Sequence, residues 1–293
     1  MQTLKQNFIC IGAQKAGTTT LADILAQHPD IYIPVVKETK FFLFDEDYKK
    51  GIDFYNKTYY NTYKGEKASG EFDPDYLLFP FTAKRIYDTL GKDIKIIVVL
   101  RNPADRAYSH YLMTKKKGLE KLDFLQAIEA EKQRKTNIKE QKIFAYIERG
   151  MYGEQLKQFM EIFPKQNFLI LLFEEDIILN RENTIRHIQE FLQIPFHKLA
   201  VNIHSNEAGE MKNETVTNLL RKPNFAKQIL KSILPSKEIR KNIRKFFIRK
   251  NLKQPTVSRL DFETKKMIIK KYFKNDILLT QQLTEKDLSN WLT

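Results

Sequence analysis

The sequence predicts an α/β fold: a central parallel β-sheet flanked by helices, built from strand-to-helix units. Three observations predict it. Short apolar runs occur at Phe8 to Ile11, Ile94 to Leu100 and Phe168 to Phe173, each ends in a turn, and each is followed by apolar residues at helical spacing. The runs are too continuously apolar for strands with one face in water, so the sheet must be covered on both faces.

The first unit runs from Phe8-Ile-Cys-Ile11 through Gly12-Ala-Gln-Lys-Ala-Gly17-Thr-Thr-Thr20 into Leu21, Ile24 and Leu25, and His28-Pro29 stops the helix. Ile94 to Leu100 leads through Arg101-Asn-Pro103 into a helix expected to reach Tyr111. Phe168 to Phe173 precedes a helix expected to run to about Leu192. Helices are expected to dominate the remainder.

With 293 residues, 42% hydrophobic and 12% aromatic, the chain has ample material for a buried core, which excludes the disordered and fibrous classes. No internal repeat or Gly/Ser/Pro-rich linker divides it, so one domain over 1–293 is expected. The formal charge of +14 favours anionic partners: nucleotides, acidic glycans, nucleic acid or membrane headgroups. Most of it lies between Arg221 and Lys253, where twelve basic residues face the single acidic Glu238. There Ile229, Leu230, Ile233 and Leu234, then Ile239, Ile243, Phe246 and Phe247, mark one or two basic amphipathic helices broken near Pro235. The segment is expected either to be a solvated helical face or to meet an anionic acceptor or membrane surface. Aromatic residues are not interleaved for base stacking, so nucleic acid is not expected as a partner.

Cys10 is the one cysteine and sits inside an apolar run, as a small strand hydrophobe; a disulfide framework is excluded and a reducing compartment fits. The first residues carry no apolar leader, and no apolar stretch approaches the ~20 residues that cross a bilayer. A cytoplasmic protein is expected, with peripheral membrane contact left open. His28, His110, His187, His197 and His204 show no metal-ligand spacing, and no metal is expected.

Gly12 to Thr18 has the spacing G-x-x-x-x-G-T between a strand and a helix, where backbone N–H groups and the helix dipole hold phosphate. The fold is in this sense P-loop-like. It departs from a nucleoside-triphosphate loop, because the position after the second glycine is Thr18 and the loop's lysine is Lys15, in the middle. The strand ending at Leu100 is followed by Arg101 rather than by an aspartate that would help hold Mg²⁺. Such a loop suits a transferred group carrying less charge than a γ-phosphoryl, for which lysine and helix-terminal N–H groups suffice; a sulfuryl group qualifies. Arg101 and Ser109 could converge on a second phosphate, though singly they read equally well as an ion-pair partner and a helix-surface hydroxyl.

These residues resemble the sulfotransferases that use 3′-phosphoadenosine 5′-phosphosulfate (PAPS), in particular the heparan sulfate sulfotransferase branch and its bacterial relatives. Gln14-Lys-Ala-Gly-Thr-Thr-Thr20 resembles the 5′-phosphosulfate loop. His28-Pro-Asp-Ile31 with Lys37-Glu-Thr-Lys-Phe-Phe42 resembles the acceptor-side segment, and Val99-Leu-Arg-Asn-Pro-Ala-Asp-Arg-Ala-Tyr-Ser-His-Tyr111 the 3′-phosphate motif. Arg149-Gly-Met-Tyr-Gly153 with Phe163-Pro164, and Asp287-Leu-Ser-Asn-Trp-Leu292, extend the likeness over most of the chain.

The resemblance implies that Lys15, Ala16, Gly17, Thr18, Thr19 and Thr20 hold the 5′-phosphosulfate, with Lys15 also stabilising the departing oxygen. It implies that Arg101 and Ser109 bind the 3′-phosphate, that Glu38 is the general base, and that Lys40 is a cation beside the transferred group. PAPS would be donor and 3′-phosphoadenosine 5′-phosphate (PAP) product, without metal. The acceptor would be a hydroxyl or amine, with carbohydrate, glycolipid or a hydroxylated metabolite all open. Two stretches depart from the family pattern. In Gly70-Glu-Phe-Asp-Pro-Asp-Tyr76, Phe72 stands where relatives often carry lysine, leaving a basic contact absent or supplied by Lys67 or another residue. In Asn206-Glu-Ala-Gly-Glu-Met-Lys-Asn213, Lys212 is the candidate nucleotide contact. Glu71 and Asp73, expected in a loop, and His110 are the alternative bases. A P-loop nucleotide kinase or other phosphotransferase is the alternative function, separable by its metal dependence.

Overall fold

The computed structural model describes residues 6–202 and 259–293; Lys212 and the basic segment 221–253 lie outside them. Five parallel strands form one sheet: β1 (Phe8–Gly12), β2 (Ile31–Tyr32), β3 (Ala68–Phe72), β4 (Lys95–Leu100) and β5 (Phe168–Leu172), in the order β2-β3-β1-β4-β5. Every residue of β1 and β3 is buried, as a sheet covered on both faces requires. β1 is central, pairing Phe8 with Gly70 on one side and with Lys95 on the other. A Cβ at Gly70 would lie 2.1 Å from the Phe8 carbonyl oxygen, so only glycine lets β1 and β3 approach this closely.

Expected strands β1, β4 and β5 form essentially where the apolar runs lie; β2 and β3 are additions. Glu71 belongs to β3 rather than to a loop, and both it and Asp73 are fully buried. β3 reads poorly as a strand because Ser69, Gly70 and Glu71 disfavour one locally, and tertiary hydrogen bonds decide. Thr39 N and the Tyr76 hydroxyl donate to the Glu71 carboxylate at 3.2 and 2.9 Å.

The helices that frame the site follow the strand ends. α1 (Thr18–Leu25) follows β1, α2 (Asp45–Tyr48) and α3 (Gly51–Tyr59) follow β2, and α4 (Phe81–Leu90) follows β3. α5 (Pro103–Lys116) follows β4 and extends past the expected Tyr111. Its start is fixed by Asn102, whose side chain accepts from Ala104 N and Asp105 N, with Pro103 at the first helical position. α6 (Phe124–Glu129), α7 (Glu131–Arg134), α8 (Ile138–Phe144) and α9 (Tyr152–Met160) lead to β5. The single helix expected after β5 is a π-helical turn over Phe173–Leu179 and then α10 (Arg181–Phe191), parted at Asn180.

Of the C-terminal described residues, α11 (Phe262–Ile268) and α12 (Lys274–Thr284) return to the body. Asp276 of α12 accepts from Gly153 N and Glu154 N at the start of α9, a cap supplied by another helix. Among the described residues no helix is long and apolar enough to cross a membrane.

Candidate active site

The strand order reverses direction at β1 and β4: the chain leaves β1 toward β2 and β3, then crosses back to β4 on β1's other side. Ligands of such sheets bind beyond the carboxyl ends of the strands at this switch point. Lys15 follows β1 and Arg101 follows β4, and the structure joins them: Arg101 Nη1 donates to the Lys15 carbonyl at 3.0 Å. The Tyr152 hydroxyl donates to the Arg101 carbonyl at 3.0 Å, and Trp291 packs against the Tyr152 ring at 6.2 Å. The Arg149–Gly153 and Asp287–Leu292 stretches thus brace the arginine from behind.

The loop between β1 and α1 is shaped for an anion. Lys15 and Gly17 both take left-handed backbone angles, φ 74° and 83°. Gly17 caps α1 without a side chain, and the first turn of α1 contains no acidic residue to compete with a bound anion. Ala16 and Thr18 are buried, and Thr19 and Thr20 are half-buried. Burial, and next the Arg101 charge, push the Lys15 ammonium down to about 8, the response of a cation held among cations with no counter-ion among the described residues. Arg101 lies over the Phe173 ring at 4.8 Å, and its nearest carboxylate oxygen, on Glu174, stands 3.7 Å from Nε. These residues fit a phosphate-bearing nucleotide. Ser109 lies half-buried on α5, with no contact drawing it to Arg101.

Glu38 is brought to the same region by Lys37, which donates to Thr19 Oγ1 at 3.2 Å and stands 3.4 Å from Glu38 Oε1. Lys40 Nζ donates to Glu38 Oε2 at 3.0 Å. Burial works against ionisation of Glu38, but the Lys40 and Lys37 charges outweigh it and hold the carboxyl below its ordinary range.

Three carboxylates hold Lys40. Besides Glu38, its Nζ meets Asp73 Oδ1 at 2.6 Å and Asp75 Oδ2 at 2.7 Å, and its backbone N–H donates to Asp73 Oδ2 at 3.0 Å. Asp75 is in turn held by Arg149 Nη2 at 2.6 Å and Lys142 Nζ at 3.0 Å, and these cations keep its carboxyl far below the usual range despite burial. Burial and the neighbouring Asp73 push Glu71 up to about 7. Phe72 is buried, its ring 6.0 Å from that of Phe8, so no cation occupies that position. Lys67 precedes the far, N-terminal end of β3 and pairs with Asp30 at 3.3 Å, away from the site.

A cavity of about 210 Å³ opens beside these groups; Gln14, Glu38, Lys40, Asp75, His110 and Lys142 are among the residues that line it. His110 is fully buried. Burial, then the Arg149, Arg106 and Lys15 charges, hold its imidazole well below the usual histidine range, in the neutral form. Among the described residues no cluster of three or more His, Cys, Asp or Glu side chains is arranged to hold a metal. Asp75, Lys142 and Arg149 had not been singled out as site residues by sequence, although Asp75 and Arg149 lie within the quoted motifs. Their meeting depends on contacts up to 74 positions apart in the chain.

A helix-capping anion loop, an arginine on the adjacent strand end and a carboxylate linked to the loop through Lys37 stand together at the carboxyl end of an α/β sheet. Comparison with known proteins gives the family. Residues 5–254 match the model of the sulfotransferase domain, and the chain belongs to that family. It is 31% identical over 189 residues to mouse heparan sulfate glucosamine 3-O-sulfotransferase 3B1, covering 63% of this chain and 45% of that protein. It is 40% identical over 107 residues to the membrane-associated sulfotransferase kil1 of Dictyostelium discoideum, covering 36% of this chain and 22% of that one. The chain therefore spans less than half the length of these two relatives. A sulfotransferase structure from Alicyclobacillus acidocaldarius superposes over 99% of this chain and 100% of its own, with a TM-score of 0.69 and 24% identity, a likeness of fold.

Proposed function

We propose that the protein is a PAPS-dependent sulfotransferase that moves a sulfuryl group to a hydroxyl, or an amine, of a carbohydrate or glycolipid acceptor. The observation that carries the reading is Lys37, which touches both Thr19 at the anion loop and Glu38, so that a base and a phosphate anchor form one unit. PAPS supplies an activated sulfuryl group whose leaving side is a phosphate.

The acceptor oxygen attacks sulfur in line while the bond from sulfur to the phosphate oxygen breaks, with no covalent enzyme intermediate. Glu38, ionised through Lys37 and Lys40, takes the acceptor proton. Lys15 and the N–H groups of Gly17, Thr18 and Thr19 balance the charge that accumulates on the departing oxygen. Thr20 completes the anion loop, and Arg101 with Ser109 holds the 3′-phosphate, leaving PAP as product. Lys212 would close over the nucleotide from outside the described residues. Lys40 takes the place of the lysine missing at Phe72, placed by Asp73 and Asp75.

The reading extends to a cytoplasmic protein whose 221–253 segment meets anionic headgroups at a membrane surface. Replacing Arg240, Lys241, Arg244 and Lys245 with Gln is expected to weaken sedimentation with phosphatidylserine vesicles and leave PAP affinity intact.

The decisive test is transfer of radiolabelled sulfate from PAPS into fractionated cellular glycans, lipids and small metabolites, with EDTA present, alongside calorimetry of PAP and AMP. Label incorporation and markedly tighter binding of PAP are expected. Equal affinity for the two nucleotides would overturn the reading, and an absolute Mg²⁺ requirement with ATP as donor would make the protein a kinase.

A further inference from the structure

The cavity beside Glu38 contains two polar groups without partners. His110 is fully buried, lines the cavity, and neither ring nitrogen has a hydrogen-bond partner among the described residues. Gln14 lines the same cavity, and its Oε1 is likewise buried and without a partner among the described residues. Buried polar groups in native folds are nearly always satisfied, and two orphans on one small cavity mark a place made for a polar ligand.

The chemistry of that ligand follows from what surrounds the pair. Neutral His110 offers one donor and one acceptor, and Gln14 Oε1 is an acceptor, a set that suits hydroxyl groups. The charges inside the cavity are already spent on one another: Lys40 on Glu38 and Asp75, and Lys142 on Asp75. Lys117 also lines the cavity but is exposed to solvent, so an anionic ring would meet two carboxylates with only this solvated ammonium left unpaired among the described residues. Met113 and Ile143 supply apolar surface for the C–H face of a ring, and Thr114 also lines the wall. A volume near 210 Å³ is below the ~300–1,000 Å³ of pockets for drug-sized ligands, which limits the occupant to about one ring.

We infer that His110 and Gln14 form an acceptor-binding pair that reads the hydroxyls of a single uncharged sugar ring seated beside Glu38. The inference rests on the sulfotransferase reading and adds the class of ring presented to the base. His110 serves in binding, and the proton of the reacting hydroxyl goes to Glu38.

The test uses the full chain with saturating PAP and the methyl glycosides of glucose, galactose, mannose and glucuronic acid, their binding followed by saturation-transfer NMR. At least one neutral glycoside is expected to bind, more tightly than the glucuronide. His110→Leu and Gln14→Leu are each expected to weaken that glycoside by about 2- to 10-fold, the worth of a neutral hydrogen bond, with PAP affinity unchanged. His110→Gln, which keeps a donor and an acceptor, is expected to recover part of the loss. Should His110→Leu lose PAP binding through misfolding, Gln14→Leu decides. PAP binding with no neutral glycoside bound, with glucuronide preferred, or with glycoside affinity indifferent to these substitutions overturns the inference and leaves the sulfotransferase reading standing. Failure of the wild-type chain to bind PAP removes both.

Discussion

With Lys15 against the nucleotide phosphate, as proposed, nucleotide binding is proton-linked. Its ammonium is pushed down to about 8 by burial and then by Arg101, with Lys117, Lys116 and Arg106 adding to the effect. Only the charged form balances a bound phosphate. With a value near 8, the ammonium fraction of the free protein falls from about nine-tenths at pH 7 to about one-tenth at pH 9, so PAP affinity should fall about ten-fold, or ~1.4 kcal/mol. Near pH 8, binding should take up about half a proton. The free fold responds with the opposite sign. A lysine lowered in the folded state leaves the unfolded chain binding more protons between about 8 and ~10.4, so this group makes the free protein more stable as pH rises through that window. Calorimetry at pH 7, 8 and 9 in two buffers of different ionisation enthalpy reads both affinity and proton uptake. Lys15→Arg, which stays charged, should flatten the profile, and Lys15→Met should bind weakly at every pH. A wild-type profile as flat as that of Lys15→Arg would refute the placement of Lys15 against the phosphate.

Arg101→Ala should cost at least ~10-fold in PAP affinity, since one charge-assisted contact is worth about 1.5–3 kcal/mol, and should cost AMP less; equal losses would assign Arg101 only to bracing Lys15. Glu38→Gln should lower turnover by about 10²–10⁴-fold with PAP affinity nearly unchanged, and wild-type turnover should fall as acid protonates Glu38 below the ordinary carboxylate range. Retained turnover, with acceptor attack rate-limiting, would pass the role of base to Glu71, Asp73 or His110. Gly17→Ala should destabilise the protein by at least about 1–2 kcal/mol, because φ is 83° and the new Cβ would lie 2.9 Å from Phe173 Cε2. Phe173→Leu on that background should recover only the steric part in a thermal melt, and a neutral Gly17→Ala would contradict the loop geometry.

The strands that could be read from sequence are those whose own residues demand burial: Phe8 to Ile11, Ile94 to Leu100 and Phe168 to Phe173. β3 could not be read in the same way, because its Glu71 is accommodated only once Thr39 and Tyr76 arrive from elsewhere. The break at Asn180 is hidden by continuous helical spacing, while α5 continues past Tyr111 to Lys116 because no stop signal stands there. In the candidate site, the proximity of Lys15 to Arg101, and of Glu38 to the anion loop through Lys37, is suggested by sequence because each residue sits in a local motif at a strand end or loop. The restraint of Lys40 by Asp73 and Asp75 is not, since a cluster reading Lys-Glu-Thr-Lys looks solvated until the buried carboxylates of the next strand's end face it.

The ion pairs on Asp75 divide the site into two parts with different tolerance to change. The proposed donor anchors hang from β1 and β4, which are buried throughout their paired length except at Lys95 and should be among the last backbone amides to exchange with solvent. Helix α8 and the turn after it, which carry Lys142, Ile143 and Arg149, reach the sheet end through contacts to one buried carboxylate. Substitutions at Met113, Leu119 or Ile143, which line the cavity, are therefore expected to reshape its wall without disturbing the Lys15–Arg101 hydrogen bond, so that under the proposed function the choice of acceptor changes while the nucleotide half stays intact.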